Sequence, residues 1–150
     1  MKFITGNLIT LAQQGQFDII VHGCNCHGVM GGGIARAIRD TWPAVYRADL
    51  AATTRDRSML GSYSTAVFIV GDKDLRIINA YTQFGISHGD DVFEYEAFER
   101  VLERIAIDYP DATIGMPLIG CGLAGGDKER ILGIIESAPN TDNITVVVFG

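Results

Sequence analysis

Between His22 and His27 the chain places four side chains able to do chemistry. The segment Val21 to Arg36 reads VHGCNCHGVMGGGIAR and holds His22, Cys24, Cys26 and His27. An imidazole exchanges protons near physiological pH or accepts a phosphoryl group, which makes His22 a candidate acid, base or nucleophile. The two thiols raise a metal site as an alternative. Zinc-binding cysteine pairs usually have about two to four residues between them and need a second ligand pair. Here Asn25 alone separates them, and only Cys121 or His22 could complete a set. Small buried thiols are the simpler expectation, and the sequence requires no metal. A thiolate phosphatase loop needs an arginine close by to grip phosphate, whereas Arg36 falls inside the following helix. His27 and His88 read as surface loop residues, and Arg36 and Arg39 as exposed helical arginines.

The same segment is rich in glycine. Gly28, Gly31, Gly32 and Gly33 permit positive φ and a close approach of backbone amides to a ligand. A helix starting near Gly33 would aim free N–H groups at the same place, which suits an anion. Pro117 to Asp127, PLIGCGLAGGD, repeats the plan of strand, glycine loop and helix start. Two such loops point to a diphosphate or a phosphorylated sugar nucleotide. The dinucleotide fingerprint fails in the first loop. In the second, Gly120, Gly122 and Gly125 fit its spacing without a later acidic ribose partner, and no P-loop lysine occurs.

The elements that must position these loops follow from the hydrophobic pattern. Lys2 to Thr5 reads as a strand, and Asn7 as the N-cap of a helix from Leu8 to Gln14 ended by Gly15. Phe17 to His22 is an unbroken apolar run, as expected of a strand covered on both faces. Ile34, Ala35, Ile38 and Trp42 recur at helical spacing until Pro43, after which Ala44 to Thr53 continues with Val45, Ala48 and Leu50 facing inward. Tyr63 to Val70 and Leu75 to Tyr81 form a hairpin, followed by a polar loop from Gln83 to Asp91. An amphipathic helix spans about Phe93 to Tyr109. Thr113 to Ile119 is a strand, Lys128 to Ser137 a helix, and Asn143 to Phe149 a last buried strand. A hairpin mixed with strand–helix–strand crossovers gives one mixed sheet with helices on both faces. Ligands of such sheets bind beyond the strand C-termini, where both glycine loops begin.

With 150 residues, 47% hydrophobic and 20% charged, the chain reads as one domain, 1–150, without linker or repeat. No apolar run reaches a membrane span and no secretory signal is evident, so a cytoplasmic location is expected. Three cysteines, an odd number, fit a reducing compartment. The net charge of −6 disfavours a nucleic-acid partner.

In this order and at these distances, GNLITL, VHGCN with GGGIA, and IGCGLAGG resemble the macro domain family, which binds ADP-ribose. The resemblance is nearest to the branch of ADP-ribose 1″-phosphate phosphatases and related deacylating macro domains. It implies a three-layer α/β/α sandwich with a central mixed sheet of about six strands, a monomer, no cofactor, and ADP-ribose or its 1″-phosphate as ligand. Asn7 matches the position that recognises the adenine amino group, usually an aspartate, and Leu8 supplies a backbone amide. The resemblance also puts Gly23 among the ligand-binding residues. Asn25 matches the residue that contacts the distal ribose, or else it stabilises its own turn. Gly31, Gly32, Gly33 and Ile34 would wrap the distal phosphate and ribose. Ile119, Gly120, Cys121, Gly122 and Leu123 would offer amides to the diphosphate.

Two departures bear on catalysis. Deacylating members carry a lysine where this chain has Gln83 and an aspartate where it has Ala124, so that mechanism is disfavoured. His22 matches the histidine of the phosphatase branch. Asp127 either supports it or caps the helix it precedes. The reading is a phosphatase acting on ADP-ribose 1″-phosphate through His22. The alternatives are a non-catalytic ADP-ribose-binding module, or a substrate-assisted hydrolase of ADP-ribosylated molecules.

Overall fold

An apolar run without alternation asks for cover on both sides, and strand β2 (Ile19–Cys24) receives it near the middle of a six-stranded sheet. The computed structural model describes residues 1–86, 93–121 and 125–150. Its sheet has the order β1-β6-β5-β2-β4-β3, with β1 Lys2–Thr5, β3 Tyr63–Val70, β4 Lys73–Tyr81, β5 Ile114–Met116 and β6 Ile144–Val148. All neighbours run parallel except β3, which returns antiparallel to β4 around Gly71 at φ +62°. The turn is shorter than the sequence suggests, since β4 already begins at Lys73.

Alternation along the strands sorts side chains into two cores. Ile19, Val21, Ile78, Ala80, Ile114, Met116 and Val146 pack under α4 (Tyr95–Asp108) and α5 (Lys128–Glu136). Ile20, Leu75, Ile77 and Val147 pack under α1 (Leu8–Gln13), α2 (Gly33–Thr41) and α3 (Pro43–Ala52). The result is the expected three-layer α/β/α sandwich with a mixed six-stranded sheet. Pro43 opens α3 directly after α2, where its missing N–H costs nothing. None of the described helices is long and apolar enough to cross a membrane.

Two local expectations change. The strand predicted over Thr113–Ile119 stops at Met116, because Pro117 cannot donate to a ladder. On α3, Val45 is buried as expected, but Leu50 is 46% exposed and Asp49 takes the inward position at 1%. The reason lies beneath the helix: Asp49 Oδ1 accepts a 2.8 Å hydrogen bond from the Tyr81 hydroxyl, a polar partner that Leu50 could not satisfy.

Candidate functional site

The parallel strands end on one edge of the sheet, and every loop leaving that edge contributes to a cleft. After β2, Asn25 organises the first loop. Its Oδ1 accepts from the amides of His27 (2.9 Å) and Val29 (3.4 Å), and its Nδ2 donates to the Val29 carbonyl (2.8 Å). Gly28 turns at φ +73°, Met30 anchors the loop at 1% exposure, and Gly31, Gly32 and Gly33 remain exposed. Gly32 then starts α2 with no side chain to cap it. The N–H groups of Gly31, Gly32, Gly33, Ile34 and Ala35 have no acceptor among the described residues. This is the unsatisfied N-terminal donor set of a helix, carrying its partial positive charge, with an empty space before it.

The second loop closes over the end of β2. A Cβ on Gly23 would lie 2.9 Å from both Ile119 Cγ2 and Thr82 Oγ1, so only glycine lets the two segments approach this closely. Gly120 sits at φ +80° against the Phe93 ring, and its carbonyl accepts from the Gly126 amide at 2.7 Å. The space between the loops is about 580 Å³ and is lined by Gly23, Cys24, Asn25, Gly31 to Ile34, Gln83, Ile86 and Pro117 to Gly120, among others. Gly33, Ile34, Pro117 and Leu118 also line a second chamber of about 450 Å³, reaching Asn7, Leu8, Ile9, Val148 and Phe149. The two chambers make one elongated cleft. Its described lining carries no charged side chain.

Most of the residues singled out in the sequence converge here: Asn7, Leu8, Gly23, Asn25, Gly31, Gly32, Gly33, Ile34, Ile119 and Gly120. Asn7 is also the N-cap of α1, its Oδ1 accepting from the Thr10 amide at 3.0 Å. Asn25 spends its side chain on the turn. Cys121 is absent from the lining, and its amide is turned back to the Leu118 carbonyl at 3.4 Å. The Ile119 amide likewise bonds the Pro117 carbonyl, at 2.8 Å. Gly122, Leu123, Ala124 and His88 lie outside the described residues.

His22 is placed elsewhere. By alternation it shares the Ile20 face of β2, under α3, at 0% exposure and outside the cleft lining. Asn79, its partner in the β2–β4 register, donates Nδ2 to the Val45 carbonyl (3.2 Å) and Ser64 Oγ (3.1 Å). That fixes Asn79 Oδ1 as the acceptor facing His22 Nε2 at 2.6 Å, so Nε2 carries the proton. The Cys24 thiol lies beside the ring, 3.8 Å from Nδ1 and 3.6 Å from Nε2, with Asn79 Oδ1 at 3.9 Å, so Nδ1 and Asn79 Oδ1 are the acceptors within its reach. Burial lowers the His22 pKa to about 4, against the raising effect of the Asn79 bond. The imidazole is therefore neutral and enclosed. Asp127 caps α5, accepting from the amides of Glu129 (3.0 Å) and Arg130 (3.4 Å), on the opposite face of the sheet from His22. The structure does not bring the two together, because a strand's successive side chains point to opposite faces.

The polar row continues from Asn79 through Ser64 to Tyr81 (2.9 Å) and Asp49. Burial raises the pKa of Asp49, and it raises the Cys24 thiol well above its usual value. Cys26 rises to about 11, chiefly through burial, and its thiol faces the Gln83 carbonyl at 3.5 Å. Both thiols stay protonated at neutral pH. No group of three metal-binding side chains occurs among the described residues.

Residues 21–135 match the model of the macro domain family. The chain belongs to that family. An uncharacterized 17.5 kDa protein of Enterobacteria phage T4 is 31% identical over 153 aligned positions, which cover 98% of this macro domain and 95% of the phage protein. A solved structure from Bacteroides thetaiotaomicron is 28% identical, with a TM-score of 0.79 over 99% of this chain and 98% of its own. The structure of Thermosipho africanus DarTG in complex with ADP-ribose superposes with a TM-score of 0.71 over 91% of this macro domain and 39% of that chain. At 19% identity this last likeness concerns the fold.

The sequence missed the apolar wall of the cleft. Ile9, Val147, Val148 and Phe149 reach it only because β6 lies beside β1, a pairing no local pattern announces. Phe149 at 82% exposure is the most telling of them, an aromatic face left open at the rim.

Proposed function

We propose that this macro domain captures ADP-ribose, free or attached to a larger molecule, in the elongated cleft. The supporting observation is the row of unspent N–H groups from Gly31 to Ala35 in the middle of a cleft whose described lining has no charged side chain. Such a site holds a diphosphate by geometry and helix dipole, with no cation needed to offset. Adenine enters the chamber of Asn7, Leu8 and Phe149, where an exposed phenyl ring offers a stacking face. The distal ribose lies toward Cys24, Asn25 and Gln83.

Hydrolysis of ADP-ribose 1″-phosphate by His22 needs an imidazole within hydrogen-bond reach of the substrate. His22 is sealed from the cleft, and Cys24, Asn25 and Gln83 offer one protonated thiol and two amides. Binding without His22-dependent turnover is therefore the function assigned. Calorimetry with ADP-ribose tests the first half, with one-to-one binding expected and no heat of binding overturning it. Phosphate release from the 1″-phosphate, compared between the wild type and His22→Gln, tests the second. Turnover that disappears in a folded His22→Gln protein would return the catalytic role to His22.

A further inference from the structure

The chamber that reaches Asn7 is walled by hydrocarbon, with Leu8, Ile9, Ile34, Leu118, Val147 and Phe149 among its lining. Among the described residues of that lining, Asn7 carries the only side chain able to form a hydrogen bond. What a ligand must present at this end of the cleft therefore depends on which half of one amide is left to meet it. Asn7 Oδ1 accepts from the Thr10 backbone N–H at 3.0 Å, capping α1. A backbone N–H can only donate, so the atom facing it is the oxygen, and the other arm of the amide is Nδ2. Nδ2 has no acceptor among the described residues. The unspent half is a donor. An incoming amino group would have to share the oxygen with the Thr10 N–H, while Nδ2 stood beside it, donor against donor. A carbonyl oxygen in the same place would give Nδ2 its partner.

We infer that this chamber selects a 6-oxopurine base over adenine, and that Asn7 is the residue that selects it. Asn7 Nδ2 donates to the exocyclic oxygen that stands where adenine carries its amino group. The flat base lies on the Phe149 ring, which is open at the rim, and two fused rings cover that ring more fully than the single ring of a pyrimidine. ADP-ribose still enters, short of one hydrogen bond, because the free N–H groups from Gly31 to Ala35 meet the same diphosphate in either ligand. The inference rests on the proposed capture of a nucleoside diphosphate ribose in the cleft, and it names the base.

Calorimetry on the full chain compares ADP-ribose with inosine diphosphate ribose, which differ only in the exocyclic group of the base and in the ring proton that the oxo form carries. The inosine ligand is expected to bind roughly fivefold to tenfold more tightly. Asn7→Asp and Asn7→Ser both keep a good capping residue, so each should fold, as a thermal melt checks. Asn7→Asp exchanges the donor for a second acceptor and should reverse the order of the two ligands. The order is the readout, because the added negative charge weakens both alike. Asn7→Ser removes the amide and should bring the two affinities within about twofold of each other. If ADP-ribose binds the wild type as tightly as the inosine ligand does, or more tightly, the inference fails while capture in the cleft stands. A preference that survives unchanged in both variants comes from another group, and the role given to Asn7 fails. If neither ligand binds, the reading of the cleft fails and takes this inference with it.

Discussion

The cleft and the polar row beneath α3 start from the same strand and use opposite materials. The cleft takes backbone N–H groups, glycines and apolar side chains, and leaves its donors unspent. The row takes His22, Ser64, Asn79, Tyr81 and Asp49, whose hydrogen bonds run from one side chain to the next. One region is open and unsatisfied, the other closed and nearly satisfied. Cys24 stands at the junction, lining the cleft while its thiol faces His22. The contrast teaches that a reactive residue type near a binding loop is not thereby part of the site. What decides is which face of the strand it occupies.

The largest effect should come from filling the open region. Gly32 has an extended backbone at φ −144°, and a Cβ there meets nothing within 4 Å, so Gly32→Glu folds normally. Its carboxylate would stand among the free N–H groups proposed to hold phosphate. A loss of ADP-ribose affinity of roughly a hundredfold or more is expected, about 3 kcal/mol. Calorimetry beside a thermal melt separates this from unfolding. Unchanged affinity would show that the first loop does not hold the diphosphate.

Disturbing the closed region should instead change stability. His22 is lowered from 6.5 to about 4 in the fold by burial, so the unfolded chain takes up a proton that the native state refuses. Its contribution is fully present above about pH 6.5, declines as pH falls, and is gone below about 4, an integrated change of about 3 kcal/mol. Urea unfolding above and inside that window should show this slope in the wild type and lose it in His22→Gln. ADP-ribose affinity at neutral pH should be the same in both. A ligand affinity that follows the His22 substitution would erase the distinction between the two regions.

How much of this was legible in the sequence follows the range of the forces involved. Periodicity pointed to the strands and α-helices found among the described residues, because each element must present its apolar side to a core. The glycine runs pointed to the two loops, because few residues tolerate the turns at Gly28 and Gly120. The burial of His22 was not legible for lack of a phase. An unbroken apolar strand does not say which face each residue takes, and the facing partner, Asn79, lies 57 positions away. Asn25 was legible only as an alternative, since an asparagine that fixes a turn and one that touches a ribose look alike in one dimension. Phe149 was read as the end of a buried strand, and its role required knowing that β6 neighbours β1.

A smaller effect sharpens the cleft itself. Phe149 is 82% exposed, so Phe149→Ala should leave stability unchanged within error while removing a stacking surface from the adenine chamber. Base–aromatic stacking contributes about 1–3 kcal/mol, so a loss of roughly tenfold in ADP-ribose affinity is expected, with no change for ribose 5-phosphate. Equal losses for both ligands would move the aromatic contact away from the base.

The smallest effect concerns neither region, and this makes it a control on both. Gly133 lies in the interior of α5 with open space where its Cβ would be, so Gly133→Ala should raise stability by about 1 kcal/mol in urea unfolding. The gain arises because alanine surrenders less backbone entropy than glycine when the helix forms. Because α5 begins at the second loop, a rigid coupling of helix and cleft would carry the change into ligand affinity. The Asp127 cap and the closure of Gly126 on Gly120 anchor that loop independently of residue 133. Stability should therefore rise while ADP-ribose affinity stays constant. A shift in affinity would mean that the cleft reads the state of a helix whose exposed side lies outside it.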